Sequence, residues 1–167
     1  MYEKLCECKE YLTKFGGHPM AAGLSLEEEN VERFRRKLNE QSGLTEEDLV
    51  EKVTIDVPMP IHYIRKDLVQ ELSLLEPFGK GNEKPLFAQK NLWISQMRVF
   101  GKNRNVVKMR LTDENGYPMD GVYFGNGDEF AEEGSGKRKI SIVYYPDINM
   151  YQGRESLQVI IRHYQFD

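Results

Sequence analysis

A chain of 167 residues can bury one good core or two small ones, and a composition 40% apolar and 30% charged is that of a folded globular protein, not a disordered one. No apolar run approaches the roughly 20 residues that a membrane-crossing helix needs, and Met1 to Glu10 has no apolar core of a signal peptide, so no membrane partner and a cytoplasmic location are expected. The net charge of −4 taken whole argues against nucleic acid, and two cysteines with three scattered histidines supply no metal-ligand pattern.

Residues 2–14 carry Leu5, Cys6 and Leu12 amid Glu and Lys, which predicts an exposed helix with a thin apolar stripe. Phe15 to Ser25 follows, reading F-G-G-H-P-M-A-A-G-L-S. Gly16 and Gly17 open backbone conformations that other residues avoid and let a ligand approach the main chain, while Pro19 restricts the backbone of His18. Peptide N–H groups beside an imidazole form a cradle for phosphate. The competing reading is a tight turn entering a buried strand, with His18 satisfied by a carbonyl. Ala21 to Leu26 reads as that strand. Ser25, followed by glutamates, is positioned to cap a helix carrying Val31, Phe34 and Leu38, which Gly43 stops. Residues 1–43 are thus expected to form a small helix-strand-helix segment, joined by an acidic linker, residues 44–52, to a domain over 53–167.

In that domain Val53 to Met59 alternates like a strand that Pro58 and Pro60 confine to an edge. Ile61, Ile64, Leu68, Leu72 and Leu75 step by three and four, predicting an amphipathic helix packed on the domain core. Glu76 to Pro85 is a glycine-bent connection flanked by Lys80 and Lys84, read either as a structural crossover or as a phosphate grip. Strands are then expected over Phe87–Val99, Val106–Thr112, Pro118–Phe124, Lys139–Tyr145 and Ser156–Tyr164, with a hairpin turn at Asp113–Gly116 and a short helix at Asp128–Glu133. Five strands with a helix between the third and fourth is the order of an OB-fold, a Greek-key β-barrel that binds oligonucleotides on its second and third strands and adjoining loops. The fold class is α+β, a five-stranded barrel preceded by the small segment.

Charge is segregated along the chain. From Glu76 to Arg110 eight Lys or Arg face two acids, whereas Leu111 to Ser135 holds seven acids and no base. The result is a basic stripe, read as a phosphate-binding strand pair or as a solvated face. Single strands are held by cations plus aromatic platforms. Phe100, Lys102, Arg104, Lys108 and Arg110 are therefore expected to face a ligand, with Lys80 and Lys84 beside them. Tyr144, Tyr145, Tyr151 and Arg154 are placed in or beside the loop joining the fourth and fifth strands. Core packing is the alternative for each aromatic taken singly.

Two runs add a resemblance. Gly16-Gly17-His18-Pro19-Met20-Ala21-Ala22-Gly23 resembles the GGH-x-x-AAG signature of the DHH-associated domain of DHH-family phosphoesterases, and Leu75 to Phe87 resembles the segment opening the OB domain of RecJ-type single-strand-specific exonucleases. The resemblance implies manganese- or magnesium-dependent 5′ to 3′ degradation of single-stranded DNA in repair and recombination. The family's Asp-His-His motif does not occur in this sequence, so the catalytic DHH domain, its metal and any catalytic residue are expected to lie outside the chain, which alone would be inactive. In that setting Gly16, Gly17 and His18 would hold the terminal phosphate of the strand. The implied partners are single-stranded DNA and the N-terminal DHH domain of the same protein. An alternative of another class is an OB module that docks a single-strand-binding protein or a helicase.

Overall fold

The computed structural model describes residues 2–18, 20–50 and 52–167. Two compact units divide after Lys52.

The first unit begins with α1 (Tyr2–Cys6), much shorter than the helix expected over residues 2–14. A single 3-10 turn, Lys9–Tyr11, follows, and Leu12 is already extended because the chain is about to pair as a strand. Leu5 and Cys8 are the buried side chains here, and the Cys8 thiol donates to Gln41 Oε1 at 3.2 Å. β1 (Lys14–His18) and β2 (Ala21–Ser25) form an antiparallel hairpin in register from Lys14 opposite Ser25 to His18 opposite Ala21. Gly16, Gly17 and His18 thus lie in a strand, not in a glycine turn, and neither strand holds a buried residue. Gly17 is small for a physical reason: a Cβ there would meet Ala21 O and Ala22 Cα at 2.5 Å. Pro19 lies outside the described residues. Ser25 closes β2, its carbonyl accepting from Thr13 N at 2.8 Å, and it caps no helix, because Glu27 directly precedes the next turn, Glu28–Asn30. α2 (Val31–Ser42) starts instead at Asn30 and ends on Gly43 in the left-handed conformation at φ 66°. The 44–52 stretch holds a 3-10 turn, Glu46–Leu49, capped reciprocally by Thr45 and Asp48.

The second unit is a closed barrel. Its edge strand β3 is only Val57–Pro58, parallel to the start of the next strand, because the prolines allow so little pairing. The expected long helix splits into a 3-10 turn, Ile61–Tyr63, and α3 (Lys66–Ser73), which bury Ile61, Ile64 and Val69 while Leu75 stays exposed. β4 (Phe87–Phe100), β5 (Val106–Thr112), β6 (Pro118–Phe124), β7 (Lys139–Tyr151) and β8 (Arg154–Phe166) follow. Their order is β4-β5-β6-β8-β7, and β7 pairs back onto β4 to close the ring. β4 serves both ends because it bends: its first half pairs with β7, its second with β5, with register shifts between Gln89 and Leu92 and between Ile94 and Gln96. β6 and β8 run parallel, the Greek-key crossover, and α4 (Gly127–Glu133) fills the connection between β6 and β7.

Inward residues of β4 to β8 meet in one core, including Leu92, Val107, Leu111, Ile140, Tyr144 and Val159. Each such burial contributes about 1.5–3 kcal/mol. Tyr144 also donates its hydroxyl to Met59 O at 2.6 Å, tying the β3 segment to β7. Phe130 of α4 plugs one end of the barrel, stacked on Tyr123 at 4.8 Å and against Tyr164 at 4.4 Å. At the hairpin between β5 and β6 the buried Asp113 accepts from Asn115 N, Tyr117 N and His62 Nδ1 at 2.8–2.9 Å. Among the described residues no helix is long and apolar enough to cross a membrane.

Candidate nucleic-acid interface

Alternation on β5 points Val107, Met109 and Leu111 into the core, so Lys108 and Arg110 must face outward. On β4 the register shift near Ser95 reverses the phase: Met97 and Val99 turn inward, and Gln96, Arg98 and Phe100 join the outer face. Cross-strand pairing sets Arg98 opposite Lys108 and Gln96 beside Arg110. Two cations opposite one another repel unless something anionic lies over them.

The turn between β7 and β8 is only Gln152 and Gly153, at φ 49° and 75°, so the two strands continue as a ribbon out to Tyr151 and Arg154. The ribbon brings Asn149 and Ser156 to the face that carries Arg98 and Lys108, enclosing a groove of about 460 Å³. A second, adjoining hollow links Lys108 to Tyr151 and Arg154 at the tip. Phe100 is 44% and Tyr151 68% exposed, so each offers ring surface for stacking. Lys108 Nζ lies 6.0 Å from the Phe100 ring centre, so cation and platform occupy one spot.

The expected ligand-facing residues do not all arrive there. Phe100, Lys108, Arg110, Tyr151 and Arg154 line the groove or its extension. Lys102 and Arg104 sit in the exposed turn between β4 and β5, and Arg104 is held by Asp128 at 2.6 Å. The charge of Arg110 is likewise matched, by Asp120 at 2.5 Å across to β6. Lys80 and Lys84 line a different hollow with Phe78 and Tyr145, and Lys84 Nζ caps the Tyr145 ring at 3.8 Å. Tyr144 and Tyr145 belong to β7 itself and are buried, not loop residues. Gln96, Arg98, Asn149, Ser156 and Gln158 line the groove beyond the expected set. Counting by two from Phe100 finds Arg98 and Gln96, whereas the ribbon residues have no local signal.

His18, with Gly16 and Gly17, lies in the first unit, exposed on β1. Its Nδ1 is 3.5 Å from Met20 N, and among the described residues no carbonyl hydrogen-bonds the ring. Among the described residues no three His, Cys, Asp or Glu side chains cluster in a way that could hold a metal.

The RecJ OB domain family matches residues 55–163. The chain is 37% identical over 166 residues to the single-stranded-DNA-specific exonuclease RecJ of Bacillus subtilis, covering 97% of this chain and 21% of that protein. To the Escherichia coli protein of the same name it is 33% identical, covering 90% of this chain and 26% of the relative. Crystal structures of Thermus thermophilus RecJ with Mn2+ and with Mg2+ share the fold at TM-scores of 0.76 and 0.73 and 22% identity, over 98% of this chain and about a quarter of theirs. With the barrel order, the strand face and this match together, the chain belongs to the RecJ OB domain family and spans about a quarter of the length of the relatives it matches.

Proposed function

We propose that this chain is the strand-binding C-terminal region of a 5′ to 3′ single-stranded-DNA exonuclease acting in repair and recombination in the cytoplasm. The observation that carries the reading is the groove under the β7–β8 ribbon, where the like-charged pair Arg98 and Lys108 faces outward beside the exposed platform Phe100. Phosphates neutralise the cations, and unpaired bases stack on Phe100 and Tyr151.

The chemistry of hydrolysis belongs to the DHH domain outside this chain, where manganese or magnesium would activate water. Its relatives' crystal structures hold Mg2+ and Mn2+. In the complete protein Gly16, Gly17 and His18 would offer backbone N–H groups and an imidazole to the terminal phosphate, and Lys80 and Lys84 a further cationic grip. A single-strand-binding protein or helicase is the competing partner for the barrel.

Fluorescence anisotropy of labelled single and duplex DNA across a salt series tests the reading. Tighter binding of the single strand, weakening steeply with salt, is expected. Equal affinity for both forms would reduce the groove to a charge patch, and salt-insensitive binding of a protein partner alone would favour the docking module.

A further inference from the structure

The outer face carries two neighbouring rows of different chemistry. One runs Arg98, Lys108, Val122, Ile160 across β4, β5, β6 and β8, each the register partner of the next. The other, two residues along each strand, runs Gln96, Arg110, Asp120, Gln158. The first row holds two cations and no acid. The second is neutral by pairing, since Arg110 Nη1 donates to Asp120 Oδ1 at 2.5 Å. A phosphate over the second row would sit against the Asp120 carboxylate, whereas over the first it meets cations alone. A strand lying in the groove therefore keeps its phosphates over Arg98 and Lys108 and turns base edges toward Asp120.

Asp120 is suited to read such an edge. Its side chain is 50% exposed in the groove, and among the described residues no hydrogen bond reaches Oδ2. An ionised carboxylate only accepts. Guanine alone offers two adjacent donors on its Watson–Crick edge, N1–H and the exocyclic amino group. Adenine and cytosine put a ring-nitrogen acceptor beside their amino group, and thymine flanks its N3–H with two carbonyls. We propose that Asp120 is a specificity-determining residue that favours guanine at one position of the bound strand, an inference that rests on the strand-binding reading above.

The test uses the 167-residue chain and short thymidine strands in which isolated positions carry guanine or hypoxanthine, which keeps N1–H and lacks the amino group. The guanine strand is expected to bind about tenfold tighter than the hypoxanthine strand. Asp120→Asn should erase that ratio while raising affinity for the all-thymidine strand, because it frees the Arg110 guanidinium for phosphate, and Asp120→Glu should restore part of the ratio. A structural role for the Arg110 pair would weaken all strands alike. Equal binding of the guanine and hypoxanthine strands by the unaltered chain, or a ratio that survives Asp120→Asn, overturns the assignment alone. Failure to bind any strand overturns it together with the strand-binding reading.

Discussion

The β1–β2 hairpin and the barrel are both built of antiparallel pairs, yet the hairpin buries no residue of either strand while the barrel closes on itself around fifteen buried side chains. A two-stranded ribbon is marginal alone in water. Its small residues let two backbones lie close, as Gly17 does against Ala22, and leave main chain and His18 open to a ligand. The barrel does the opposite. Its core holds the strands in one register, so outward side chains such as Arg98 and Lys108 are fixed in place relative to each other. One region presents backbone, the other presents ordered side chains.

The sharpest way to break that contrast is to remove core. Phe130→Ala should cost the barrel about 3–5 kcal/mol, whereas Leu24→Ala on the hairpin should cost about 0.5 kcal/mol or less. Denaturant melts of the two variants check this, and equal losses would mean that the hairpin shares a core. Next in size is His18→Ala. It should leave the affinity of this chain for single strands nearly unchanged and, in the full-length protein, lower turnover about a hundredfold, because a displaced scissile end is costly. Undiminished turnover of the full-length variant would return His18 to a mere hairpin residue.

Smaller effects separate the cations. Arg98→Ala with Lys108→Ala should flatten the salt dependence of strand binding by about one slope unit for each phosphate no longer neutralised. Arg104→Ala should change that slope less, its guanidinium being already paired with Asp128. Reversed magnitudes would move the interface to the turn between β4 and β5. The smallest effect concerns acid. Burial raises the pKa of Asp113, but hydrogen bonds from Tyr117, His62 and Asn115 outweigh it and hold the carboxyl below its usual range. Its contribution to stability is therefore present above the unfolded carboxyl pKa of about 3.9 and lost as pH falls through the lower folded value. Thermal midpoints measured from about pH 5 to pH 2 should fall less steeply for Asp113→Asn than for the parent chain.

Strand periodicity made the barrel legible in advance: β4, β5, β6 and α4 lie within a residue of where alternation and turn residues put them. The ribbon was not legible. Pro146 and the weak strand formers Asp147 and Asn149 interrupt the pattern after Tyr145, yet all three pair with β8. Arg98 is one of the eight cations of the basic stripe and lies two residues before Phe100; what the pattern did not carry is the register shift that inverts inside and outside midway along β4. At the hairpin, adjacent glycines read as a turn because their partner strand, not their own propensity, makes them extended. Which cations are already neutralised depends on side chains far apart in sequence, such as Arg104 and Asp128, and local pattern carries no trace of it.

The most direct test of strand binding by the barrel face is a residue-resolved NMR titration of the chain with a short single strand. Amide signals of Arg98, Phe100, Lys108 and the ribbon from Asn149 to Ser156 are expected to move together and saturate together, while those of Lys14 to His18 stay still. Shifts confined to the hairpin, with the β4–β5 face and the ribbon unmoved, would contradict it.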